Sequence, residues 1–150
     1  MTLKATVVGS IELQSNLKKV SERSVELVKH AVFKGVADVE KEAKLSIQRG
    51  GKSGVVYQKY NPKRKHKSSA PGEPPASDTG FLVSNIKRFI DGDGLGGEVR
   101  SRAFYSKFLE FGTSKMLPRP FMFPALEKNR QKIITRIKKA VKTANARSSK

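Results

Sequence analysis

The chain has 150 residues, the size of one domain, and 37% of them are hydrophobic, which implies a modest core with polar loops or tails. Cysteine is absent, which excludes disulfides, thiolate metal sites and thiol nucleophiles and suits a reducing cytoplasm. The formal net charge is +18, and 15 of those charges fall in two stretches: residues 49–75 hold 7 basic and 1 acidic residue, and residues 128–150 hold 9 and 0. Such a surface attracts polyanions, either nucleic acid or acidic partner proteins.

The opening MTLKATVVGSIEL has no apolar run of about 7–15 residues behind a basic start, so no signal peptide is expected. No stretch approaches the ~18 apolar residues of a membrane span, and no membrane partner is expected. Residues 3–13 alternate loosely between apolar and polar and predict an edge strand or an extended arm. Ser15 or Asn16 then offers a side-chain oxygen to cap a long helix. From about Leu17 to Ile47 the apolar residues recur at helical spacing, with Val28, Val32, Val36, Val39, Ala43 and Ile47 on one stripe. Gly35 is a weak point or a close-packing point in it, and Gly50 and Gly51 end it.

Residues 49–78, RGGKSGVVYQKYNPKRKHKSSAPGEPPASD, read as a long basic loop, with a short strand conceivable around Tyr57 and Tyr60. Asp78 or Thr79 caps a helical turn through Leu82 and Val83. IKRFI, DGDGLGG and EVRS follow as a β-hairpin. Residues 104–111 predict a short amphipathic helix stopped by Gly112. Pro118, Pro120 and Pro124 punctuate an extended segment, with Pro124 placed in the first turn of a last helix spanning roughly 125–144. The fold class is therefore α+β: a long N-terminal helix and a C-terminal helix packed on a small antiparallel sheet, with a long basic loop. Residues 1–150 are expected to form a single domain, with 49–78 extended and 145–150 a flexible basic tail.

Motifs that would bring chemistry fail on context. GGKS at 50–53 lacks the first P-loop glycine, since Ser46 stands there, and a helix precedes it where a strand is needed. Gly92, Gly94 and Gly97 have dinucleotide spacing, but a strand pattern follows where a helix must open. Asp91 and Asp93 begin a calcium-loop pattern that ends on Arg102 in place of a glutamate. His30 and His66, the only histidines, have no nucleophile or carboxylate pattern around them. No catalytic residue, metal site or cofactor is expected, and the chain does not read as an enzyme. The run Lys63-Arg64-Lys65-His66-Lys67 near Tyr57 and Tyr60, and the C-terminal lysines Lys138, Lys139 and Lys142, are candidates for contact with DNA or an acidic partner. The alternative is a solvated loop at 63–67 and, for the C-terminal lysines, a surface helix of a larger assembly.

Two segments together resemble a known family. They are SAPGEPPASDTGFLVSNI at 69–86 and AFYSKFLEFGTSKMLPRPFMFPAL at 103–126, covering 42 of 150 residues. They look like the neck, or head–tail joining, proteins of long-tailed bacteriophages, loosely related to the lambda Z-like minor tail and tail-completion proteins. Ser106 stands where that family often has alanine, and Pro118 where it has a small residue. The resemblance implies a structural virion protein at the neck or upper tail, made in the host bacterial cytoplasm. It implies a homo-oligomeric ring, with six copies favoured and twelve possible, that contacts head-completion or connector proteins and tail-terminator or tail-tube proteins. Packaged DNA in the channel is a further expected partner. The alternative is a basic nucleic-acid-binding protein outside the virion, which the charge alone would explain.

The residues of the second segment carry a physical reading of their own. Phe104, Tyr105, Phe108, Leu109 and Phe111 give the short helix a broad apolar face, and Gly112 allows a sharp turn. Arg119 is expected to form a planar salt bridge with Glu110. Phe121 and Phe123 are expected to alternate on a segment stiffened by Pro120. Tyr105, Phe108, Glu110, Phe111, Gly112, Arg119, Pro120 and Phe121 are thus the candidate interface platform, the alternative being one subunit's own core.

Overall fold

A computed structural model describes residues 3–8, 22–49 and 52–148. Strand β1 (Leu3–Val8) opens the chain, followed by helix α1 (Glu22–Gln48). Strands β2 (Val56–Tyr60) and β3 (Lys63–Lys67) come next, then helix α2 (Phe81–Ser84). Strands β4 (Ile86–Ile90) and β5 (Gly96–Ser101) precede the short helix α3 (Ser106–Phe111) and the long helix α4 (Met122–Ser148). One antiparallel sheet has the order β1-β5-β4, and β2 with β3 forms a separate two-stranded hairpin. The α+β expectation holds, and β1 is an edge strand, pairing Leu3 with Ser101 through Val8 with Gly96.

The stripe Val28, Val32, Val36, Val39, Ala43 and Ile47 of α1 is fully buried. Its steps of three and four residues keep one side of the helix facing inward. Each such valine or isoleucine contributes about 1.5–3 kcal/mol by leaving water. The stripe meets Ile86 of β4, Val99 of β5, Leu82 of α2, and Phe121, Met122, Ala125 and Ile133 around the start of α4. On the sheet's other face the Arg100 and Arg102 guanidinium groups lie 4.9 and 5.4 Å from the Phe89 ring.

Helices α1 and α4 run antiparallel: Ser24 meets Ala144 near one end and Glu42 meets Lys128 near the other. Gly35 lets them approach, because a Cβ there would stand 3.2 Å from two carbons of Ile133. Between the helices Asp38 pairs with Arg136 at 2.9 Å and Lys132 at 3.1 Å. Burial pushes the Asp38 carboxyl up, but bonds and charge from those two cations outweigh it and hold it below its ordinary value.

Two stretches differ from expectation. The stretch 49–78 is not wholly a loop, since it holds the β2–β3 hairpin. Lysine-rich strands are hard to read from sequence because their alternation is of charge against charge rather than of apolar against polar. Helix α4 starts at Met122 and runs through Ser148, so residues 145–148 continue the helix. The proposed caps Ser15 and Asn16, residues 17–21, and the stop at Gly50 and Gly51 lie outside the described residues.

Candidate functional site

The start of α4 poses a local problem that the second motif solves. A helix leaves its first N–H groups without partners, and the first turn of α4 contains no acidic residue. Glu110 of α3 supplies the acceptor from twelve residues before Met122. Glu110 is 5% exposed, and its carboxylate receives N–H bonds from Phe121 (2.9 Å), Met122 (3.0 Å) and Phe123 (2.7 Å). A carboxylate there also meets the positive end of the helix dipole.

The turn that brings Glu110 round depends on Gly112, whose φ of +76° is costly for any residue with a Cβ. A Cβ there would also stand 2.7 Å from the Met116 carbonyl. The expected Arg119–Glu110 salt bridge does not form. Glu110 is occupied by the helix terminus, and the Arg119 Nε donates to the Ser69 carbonyl at 3.2 Å. The Arg119 backbone N–H donates to Leu109, and the Gly72 N–H to Pro118. Arg119 therefore fastens the first motif segment to the second.

Helix α3 sends Leu109 towards the core but otherwise buries polar groups and exposes aromatic ones. Ala103, Ser106 and Glu110 are buried, and the Ser106 hydroxyl donates to the Ala103 carbonyl at 2.7 Å. Phe104, Phe108 and Phe111, spaced i, i+4, i+7, are 77%, 51% and 65% exposed. The Tyr105 ring stands edge-on to Phe104 at 5.1 Å and 6.2 Å from Phe81, which is itself exposed. Leu117 and Phe123, also exposed, flank the turn and the first turn of α4. Polar groups inward and aromatic rings outward is the reverse of a solvent-facing helix, and clustered exposed aromatics mark contact surfaces.

The expected platform thus divides. Phe108 and Phe111 are exposed, Tyr105, Gly112, Arg119 and Pro120 are half-buried, and Glu110 is a buried anchor. Phe121 is a correction: it is fully buried and belongs to the core. Phe123 does not alternate with it on an extended segment, because the helix has begun and turns Phe123 outward.

The basic run of 63–67 forms β3, where Lys63, Lys65 and Lys67 are exposed while Arg64 and His66 turn the other way. Asp78 collects Lys59 and Arg64 as ion pairs, and His66 Nδ1 lies 3.7 Å from it. Above all the hydrogen bond from Lys59, and then the charges of Arg64, Lys59 and His66, outweigh burial and hold Asp78 below its ordinary value. Burial, and then the Asp78 charge, raises the Tyr105 hydroxyl. At the hairpin base Glu73 accepts the Ser53 hydroxyl (2.6 Å), the Ser53 N–H (3.0 Å) and the Ala70 N–H (2.8 Å). These bonds bring its pKa down to about 2. A cavity of about 280 Å³ between hairpin and platform is lined by His66, Asp78, Phe81, Tyr105, Leu109 and Arg119. Its charged groups are already engaged, Asp78 by Lys59, Arg64 and the nearby His66 ring, and Arg119 by Ser69.

Lys138, Lys139 and Lys142 are exposed on α4. Lys139 lines a cationic groove between α1 and α4 with His30, Lys34 and Arg136. Among the described residues there is no cluster of three or more His, Cys, Asp or Glu able to hold a metal ion, and no helix long and apolar enough to cross a membrane. The reading from residues missed Asp78 as the hairpin's tether and Glu110 as a helix cap. The signal for the second was present: PFMFPAL opens a helix without a Ser, Thr, Asp or Asn to cap it.

A protein-family model described as "Bacteriophage HK97-gp10, putative tail-component" matches residues 11–112. No curated protein and no solved structure matches the chain.

Proposed function

Since the chain belongs to the HK97-gp10-like family of bacteriophage tail components, we propose that it is a structural protein of the neck of a long-tailed virion, where copies of the chain form a ring that helps join tail to head. The observation that carries this reading is the aromatic face at α3, with Phe104 just before the helix and Phe108 and Phe111 on it outside, and Ser106 and Glu110 inside. A chain that keeps its aromatic residues exposed on a rigid support has a surface made to be covered. Phe108, Phe111 and the half-buried Tyr105 and Pro120 are the contact surface in this reading. Glu110, Gly112, Arg119 and the buried Phe121 hold it in shape.

A ring closes when one patch meets a different patch on the next copy at a constant rotation. Six copies match the sixfold symmetry of a tail tube, and twelve would match a portal. The faces of such a ring meet connector or head-completion proteins on one side and tail-terminator or tail-tube proteins on the other. Its location is the neck or upper tail of the virion, after synthesis in the host bacterial cytoplasm. Residues 1–150 act as one assembly domain in this reading.

The test is electron microscopy of lysates from a phage or prophage carrying a deletion of this gene, alongside one carrying Phe108→Ser with Phe111→Ser. DNA-filled heads lying apart from tails, or tails with defective upper ends, are expected in both. Normal, infectious particles from the deletion would overturn the reading. They would favour a nucleic-acid-binding protein outside the virion, for which the net charge of +18 is the supporting observation.

A further inference from the structure

The β2–β3 hairpin spends its cations differently on its two faces. Directly paired residues of an antiparallel ladder share a face. Tyr57 pairs with His66 and Lys59 with Arg64, which places these four together over Asp78. On the opposite face Val56 pairs with Lys67, Gln58 with Lys65, and Tyr60 with Lys63. Lys63, Lys65 and Lys67 are all exposed, and none forms an ion pair among the described residues. Tyr60, at the tip beside Lys63, is 81% exposed.

This face is held rigid from behind. The Gly54 N–H donates to Ser68 and the Ser68 N–H to Val55, closing the base of the hairpin. Glu73 grips Ser53 and Ala70, and the Lys52 ammonium donates to the carbonyls of Ser46 and Pro74 at 3.0 Å each. Burial lowers the Lys52 pKa, with Glu73 acting in the opposite direction. The inner cations Lys59 and Arg64 are tied to Asp78, while the outer three stand in a row. Alternate residues of a strand repeat every ~6.6–6.8 Å, close to the distance between successive phosphates along one nucleic-acid strand. A protein partner would need a closely shaped apolar centre, whereas this row offers point charges at a regular repeat.

We infer that the outward face of the β2–β3 hairpin is a contact for the phosphate backbone of DNA, with Lys63, Lys65 and Lys67 each meeting a phosphate and Tyr60 lying against a sugar or base at the tip. Contacts of this kind position a protein on DNA without reading its sequence. The contact rests on the ring reading only for its location, where the face would meet DNA passing through the neck. Binding itself does not require the ring.

The test measures anisotropy of a labelled mixed-sequence duplex with the full chain across a salt series. A Lys63→Gln, Lys65→Gln, Lys67→Gln variant is compared with a control of equal charge, Lys41→Gln, Lys87→Gln, Lys115→Gln, at exposed positions elsewhere. Each phosphate contact contributes about 0.9 to the slope of log K against log salt, so the hairpin variant should lose about 2.7 from the slope. Its affinity should fall about tenfold or more, equally for unrelated sequences, while the control keeps most of both. An unchanged slope in the hairpin variant overturns the inference. So does an equal loss in both variants, which would make the effect one of net charge. Failure of the unmodified chain to bind DNA while it binds polyglutamate also overturns it and makes the face a site for acidic proteins. Native mass is measured on the same samples. A ring with an unchanged slope sinks this inference alone, and a reduced slope without a ring sinks the ring alone.

Discussion

The carboxylate of Glu110 accepts the backbone N–H of Met122 at 3.0 Å, so the last helix of the chain is capped by a residue of the helix before it. The same carboxylate takes the N–H groups of Phe121 and Phe123. One side chain thus fixes the angle at which α4 leaves α3 and sets the orientation of the aromatic face that α3 carries.

Glu110→Ala should therefore be among the most damaging single substitutions in the chain. It leaves the buried N–H groups of the helix start without an acceptor, and bonds to a charged group are worth about 1.5–3 kcal/mol each. A loss of roughly 2–4 kcal/mol is expected, allowing for water entry and partial fraying. Glu110→Gln keeps one acceptor oxygen and should lose about half as much. Urea titration followed by circular dichroism reads both, and equal midpoints for the unmodified chain and Glu110→Ala would refute the cap.

At Gly35 α1 and α4 approach closely, and its substitution should depend on Ile133. Gly35→Ala gains about 0.8–1 kcal/mol of helix propensity but places a Cβ 3.2 Å from two Ile133 carbons. The two effects oppose each other, and the net change should stay within about 1 kcal/mol of zero. Gly35→Leu should cost about 1–3 kcal/mol by overpacking. In an Ile133→Ala background the cost of Gly35→Leu should shrink, a coupling that a double-mutant cycle of denaturation midpoints would detect. Strict additivity would contradict the close approach.

The hairpin base should loosen only in strong acid. Glu73 has a folded-state pKa of about 2, below its ordinary value of 4.5. A depressed carboxyl contributes stability that is present above the unfolded pKa and lost as pH falls through the folded one. The latch should therefore be intact above about pH 4.5 and released towards about pH 2. The amide resonances of Ser53 and Ala70 should titrate together with a midpoint near 2. A midpoint near 4.5 would show that Glu73 does not hold those amides in solution.

The helices, the β4–β5 hairpin and the glycine stop after α3 were legible because each rests on residues close in sequence. Val28 to Ile47 at steps of three and four describe one buried stripe before any partner is known. The same logic failed at 56–67. Valine and tyrosine hinted at one strand, but five consecutive basic or histidine side chains gave no apolar alternation for its mate. That strand stands because it pairs with β2 and because Asp78, eleven residues beyond Lys67, gathers its inward-facing Arg64 and His66. Arg119 and Glu110 failed differently. Their charges are complementary and they lie near one another, yet the N–H groups of a helix start compete for the carboxylate, and the Ser69 carbonyl engages the arginine.

By itself the sequence determined the α+β class, the two long helices and the inward stripe of the first, the concentration of positive charge in two stretches, and the two motif segments that point to a phage tail component. These are properties of composition and short-range periodicity, which a chain carries before it folds. The tertiary structure alone decided which aromatic residues are core and which are surface, separating Phe121 from Phe123 two positions away. It also decided that Glu110 serves a helix rather than Arg119, and that Lys59 and Arg64 share Asp78 while Lys63, Lys65 and Lys67 form no ion pair among the described residues. Burial and pairing depend on groups brought together from distant parts of the chain, and no local pattern records which of several possible partners will arrive.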